Sequence, residues 1–174
     1  MKKILILIIA SILVYGSVFA QMQAEISKDQ KNGSKILKGI ITRQDLEKDT
    51  AFAWYAENLK GYHPQTAAVA ALQKNPNIEF IVFMGTWCDD SHFIVPKFFS
   101  LLDSASFSQD KVSMFGVDRS KKTLRHFAEA MGITNVPTII VMNKGKEVGR
   151  VVEYGKYGLF DKELAEIMNA VPAQ

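Results

Sequence analysis

The sequence predicts an α/β fold: a three-layer α/β/α sandwich with a mixed central sheet and an N-terminal helical extension. Three observations predict it. Short apolar, β-branched runs at 78–84, 111–118 and 137–142 alternate with helix-forming segments, which implies a parallel portion of sheet. "EVGRVVEY" at 147–154 follows "PTIIVM" across the turn "NKGK", which adds an antiparallel hairpin. Capping and spacing signals between residues 42 and 74 place helices ahead of the first of these strands.

The chain opens on Lys2 and Lys3, an apolar stretch, "ILILIIASILVYGSVF", and Ala20. Val18 and Ala20 stand where a signal peptidase reads small residues. Residues 1–20 are therefore expected to be a signal peptide cleaved before Gln21, the alternative being an uncleaved membrane anchor. The expected location is exported, periplasmic or extracellular. With no cysteine near the cleavage site, it is not that of a lipoprotein. Without the two lysines the net charge falls from +3 to +1. No concentrated basic face points to nucleic acid, and membrane contact is expected only through the leading segment if it stays uncleaved.

Residues 21–40 are polar at first, carry an Asn-Gly-Ser break, and read as a flexible leader to a domain over 41–174. Thr42 and Asp45 form a capping pair. Phe52, Tyr55 and Leu59 then recur at helical spacing as far as Gly61. Pro64 and the alanines at 67, 68, 70 and 71 predict a second helix, stopped by "NPN" at 75–77. "IEFIVFM" at 78–84 is a strand buried on both faces. A helix follows from Asp89 to about Leu102, with Phe93, Phe98 and Leu101 facing inward. "KVSMFGVD" is the next strand, "SKKTLRHFAEAMGI" a third main helix ending at Gly132, and "FDKELAEIMNA" a closing helix. Lys144, Lys146 and Arg150 read as a solvated hairpin edge.

Hydrophobic residues make up 48% and charged residues 22% of the 174, enough to pack one core without covalent staples. Cys88 is the only cysteine. In an oxidising compartment it makes no internal bridge, so it is either an inert buried thiol or a working one.

Trp87-Cys88-x-x-Ser91 at a strand-to-helix junction, Pro96 inside the following helix, "GITNVPT" at 132–138 and "NKGKEVGRVVEYG" together resemble the thioredoxin superfamily over roughly residues 78–170. The resemblance implies a thioredoxin-like sandwich. It also implies a cis peptide before Pro137, and an extended substrate paired to the backbone of Val136. Two departures go with it: Ser91 stands at the second cysteine position, and Val82 where the family commonly buries an aspartate. A serine that resolves no disulfide needs no such base.

At a helix start the unpaired N–H groups and the dipole favour a thiolate on Cys88. Ser91 is placed to donate a hydroxyl hydrogen bond to the sulfur, and Trp87 to cover it. Asp89 and Asp90 suit the first turn but oppose an adjacent anion. The sequence therefore predicts a moderate net activation, with Asp89, Asp90 and His92 as tuning residues. Two functions follow. One is single-thiol disulfide exchange of the isomerase or partner-dependent reductase type. It acts on protein or small-thiol disulfide substrates and is regenerated by an external thiol or reductase. The other is a peptide- or protein-binding module without turnover. Copper handling by Cys88, His92 and Met84 is a third reading that falls short of ligands; no metal and no cofactor are expected.

Overall fold

The computed structural model describes residues 24–171. The expected signal peptide therefore lies outside the described residues. The expected flexible leader does not survive from residue 24 onward. Strand β1 (Glu25–Lys28) pairs antiparallel with β2 (Lys35–Ile41), in the register Glu25↔Lys38 to Lys28↔Lys35. Asp29 closes the turn: its N–H bonds Ser34 O, its carbonyl accepts from Gly33, and its side chain accepts from Lys31 N–H. Gly33 supplies the left-handed φ of +73°. Asn-Gly is thus a hairpin turn here, the other meaning that dipeptide carries. Leu37 and Ile41 of β2 are core residues.

Thr42 caps α1 (Arg43–Lys48) with the expected reciprocal box to Asp45. The helical spacing through Leu59 is right about burial and wrong about continuity. Asp49 breaks the helix, because its carboxylate accepts from Ala51 N–H and pairs with Lys35 of β2. A single 3₁₀ turn (Thr50–Phe52) and short α2 (Trp54–Glu57) follow, keeping Phe52 and Tyr55 buried. Helix α3 (Thr66–Lys74) starts two residues past Pro64 and stops at Asn75.

Strand β3 (Glu79–Met84), helix α4 (Asp89–Ser104) and strand β4 (Val112–Gly116) form a parallel crossover. Phe98 and Leu101 of α4 are buried as expected. Phe93, expected inward, is 42% exposed. The expected third main helix is only a 3₁₀ turn (Leu124–His126) and α5 (Phe127–Ala130). Its first residues are consumed by a loop instead, in which Asp118 accepts from Ser120 and Lys122 N–H while Thr123 bonds Gly116 O. Strands β5 (Thr138–Asn143) and β6 (Lys146–Val152) make the expected antiparallel hairpin, and α6 (Phe160–Asn169) closes the fold. Arg150 does more than line a solvated edge: it grips Glu147 through two bonds of 2.6 Å and reaches Met131 O at 3.0 Å.

The strand order is β1-β2-β4-β3-β5-β6, a mixed sheet. Alternation along β3 and β5 sends Phe80, Val82, Met84, Ile139 and Val141 to one face, under α3, α4 and α6. Phe83 and Ile140 go to the other, under α5 and the Ile133–Val136 loop. None of the described helices is long and apolar enough to cross a membrane.

Candidate functional site

The chain leaves β3 at Met84, turns through Gly85-Thr86-Trp87, and enters α4 with Cys88 as the N-cap residue, extended at φ −106° and ψ 121°. Gly85 is required at its position: a Cβ there would lie 2.7 Å from Cε2 of Trp87. Trp87 lies over this turn and donates its indole N–H to Val117 O at 2.8 Å. The backbone N–H of Cys88 bonds Gly85 O at 3.0 Å, and its carbonyl accepts the first helical bond, from His92, at 2.9 Å.

The half-buried Cys88 thiol donates to Val136 O at 3.2 Å. The peptide between Val136 and Pro137 is cis. The loop expected to flank the thiol therefore does so, and Val136, 48 residues away in sequence, touches the sulfur itself. The same loop is braced by Glu153, whose N–H bonds Pro137 O at 2.7 Å and whose carboxylate accepts from Asn135 at 2.9 Å.

Ser91 has a different task from the one expected. It is fully buried, and its hydroxyl oxygen accepts from Gly85 N–H at 3.1 Å, pinning the strand-to-helix turn from within. Asp89 is exposed at the start of α4. Asp90 faces Tyr154, whose phenol is held above its ordinary value, by burial foremost and then by the Asp90 hydrogen bond.

His92 is not a free ligand. Its Nε2 lies 2.8 Å from Thr86 O and so carries the hydrogen, its ring stacks on Trp54 at 4.1 Å, and Nδ1 is 3.7 Å from Asp89. Burial pushes its pKa down, against the Thr86 bond and the pull of Asp89. Met84 is sealed in the core and Val82 likewise. Among the described residues no cluster of three His, Cys, Asp or Glu side chains has the arrangement of a metal site.

The thiol thus stands at a helix start, partly open, against the carbonyl of a neighbouring loop. An arrangement of this kind can present sulfur to an extended chain laid along residues 135–137. Sequence reasoning missed Trp54, Thr86 and Arg119. Thr86 ties the site to β2, accepting from Leu37 N–H at 3.1 Å and donating to Lys35 O at 3.0 Å. No local signal marks any of the three, since their partners lie far off in the chain.

Comparison with known proteins gives a family match and a modest relative. The family model Thioredoxin matches residues 65–166. A thioredoxin from Echinococcus granulosus is 29% identical over 92 residues, covering 53% of this chain and 80% of that protein. Among solved structures, a Pseudomonas aeruginosa protein of unknown function shares 15% identity at a TM-score of 0.46, over 68% of this chain and 81% of that one. An HIV epitope scaffold gives 15% and 0.47, over 69% and 83%.

Proposed function

Since this chain belongs to the thioredoxin family, we propose that it carries out thiol–disulfide exchange through Cys88 alone, by way of mixed disulfides. One observation carries the reading: the single sulfur sits at the start of α4, half-buried and hydrogen-bonded to the carbonyl of Val136, beside the cis Pro137 loop. The thiolate attacks one sulfur of a substrate disulfide. A bond forms between Cys88 and that sulfur, the substrate S–S bond breaks, and the leaving thiolate takes a proton from solvent. No electrons are lost or gained overall. With serine at position 91, the mixed disulfide is resolved by an outside thiol: the substrate's own second cysteine, a small thiol or a partner reductase. This chemistry suits disulfide isomerisation or partner-dependent reduction.

Three features support the site's roles. The backbone of Val136 is presented beside the sulfur, where an extended substrate can pair with it. Trp87 offers an apolar plane next to the thiol. Ser91 keeps the turn in shape, so its contribution is geometric. An exported location completes the proposal and rests on the pattern of residues 1–20.

Trapping tests the reading. The wild-type protein, exposed to its compartment's proteins and quenched with alkylating agent, is expected to carry reducible adducts at Cys88 that Cys88→Ser lacks. Recovery of the same partners by both, all without a covalent link, would favour a binding module instead.

A further inference from the structure

The hairpin β1–β2 precedes the residues that match the family, 65–166, yet it grips the thiol loop at two points. The first is Thr86, bonded to β2 on both sides. The second is an ion pair. Asp29, in the hairpin turn and with its side chain 1% exposed, accepts from Nε of Arg119 at 2.8 and 3.0 Å and also bonds Nη2. Arg119 follows β4, and its guanidinium carbon lies 4.8 Å from the ring centre of Trp87, the neighbour of Cys88. The ring is itself pinned by Val117. A planar cation on an indole face is a favourable stack.

Charge gives this stack a use. Asp89 and Asp90 place two carboxylates directly after Cys88, and negative charge there opposes an anion on sulfur. Asp118 is turned to Lys38 of β2, at 3.1 Å. His92 is neutral above its lowered pKa, and Tyr154 keeps its proton beside Asp90. Lys121 lies farther off, 5.8 Å from the Trp87 ring centre. Arg119 is the cation fixed in place. Its guanidinium is held above its ordinary value by the Asp29 hydrogen bond first, and the charges of Asp29, Cys88 and Asp89 add to this against the cost of burial.

We propose that Arg119, fixed by Asp29 of the N-terminal hairpin, is a positioning residue for the exchange reaction: it holds Trp87 against the thiol loop and sets a positive charge that offsets Asp89 and Asp90 around the Cys88 sulfur. This rests on the exchange reading, and gives the hairpin a functional place in it.

The test measures the second-order rate of Cys88 with iodoacetamide across pH, beside thermal unfolding, for wild type, Arg119→Gln, Arg119→Lys and Asp29→Asn. Arg119→Gln is expected to slow alkylation at pH 7 by about three- to tenfold, with the limiting rate at high pH unchanged. Arg119→Lys is expected to recover part of the loss, and Asp29→Asn to fall between Arg119→Gln and wild type. A wild-type pH profile in Arg119→Gln and Asp29→Asn, whatever their melting temperatures, would overturn the inference. Should Arg119→Gln not fold, the other two variants decide it on the same criterion. A wild-type thiol no more reactive than that of the unfolded chain would sink the exchange reading as well, so the two failures are distinguishable.

Discussion

The two faces of the sheet are built to different depths. One carries α3, α4 and α6 over a core that runs from Leu37 to Met168. The other is covered by α5 and a loop, over a small cluster around Phe83, Val117, Ile133, Val136 and Ile140, with Trp87 and Cys88 packed at its margin. The thick face holds the base of α4 rigid: Ile94, Val95, Phe98, Leu101 and Leu102 are all sealed into it. The thin face brings the Val136 carbonyl to the sulfur and leaves the sulfur partly open. Stability and access are thereby assigned to opposite sides of one strand, β3.

The two faces are expected to differ in energy. Phe98→Ala, which removes a ring packed edge-on against Phe80 in the thick face, is expected to cost about 3–5 kcal/mol in urea unfolding. On the thin face the partly buried Phe127 lies tilted against Phe115 and Phe83, and Phe127→Ala should cost less, about 1–2 kcal/mol. Equal losses would contradict the division. Ser91→Ala sharpens it at the junction. Leaving the buried Gly85 N–H without its acceptor is expected to cost about 1–2 kcal/mol and to slow alkylation of Cys88 only through the loosened turn. A variant of full stability would show that the Ser91 bond is dispensable.

The smallest effect concerns acid. His92 has a folded pKa below the ordinary 6.5, because burial disfavours its charge. The unfolded chain therefore takes up that proton first. The stabilising contribution is complete above about pH 6.5 and is lost as pH falls through the lower folded value. His92→Gln is expected to flatten the stability curve in that window. It should leave intact the steeper loss below pH 3.8, where Asp49 and Asp118, held low in the fold chiefly by bonds to Lys35 and Lys122 against burial, become protonated. An unchanged slope as pH falls below 6.5 would show that His92 contributes nothing to acid sensitivity.

Elements with local signals were legible in the sequence. The capping pair of Thr42 and Asp45, the apolar run of β3, the amphipathic α4 and the β5–β6 turn at Gly145 each carry their own instruction. The hairpin β1–β2 was hidden by the polar composition of β1 and its turn: Ile36, Leu37 and Ile41 of β2 are driven inward by apolarity, while pairing through Gly39↔Gly116 is a backbone matter. Gly116 tolerates no Cβ there, which would collide with the Leu37 carbonyl. The site divides in the same way. Trp87, Cys88 and the loop at Val136-Pro137 could be placed from short motifs, but Ser91 turned inward to the backbone of Gly85. Arg119 reaches Asp29 across 90 residues of sequence, a separation no pattern of spacing encodes.

If Cys88 works as proposed, folding makes its sulfur a better partner for disulfides than a bare cysteine is. The most direct measurement is intact-mass kinetics of the reduced protein with oxidised glutathione at pH 7, in buffer and in denaturant, normalised to a cysteine peptide under each condition. One glutathione is expected to add at Cys88, faster in the folded protein than in the unfolded chain, and to be removed by added thiol. A folded protein that reacts no faster than the unfolded chain would contradict it.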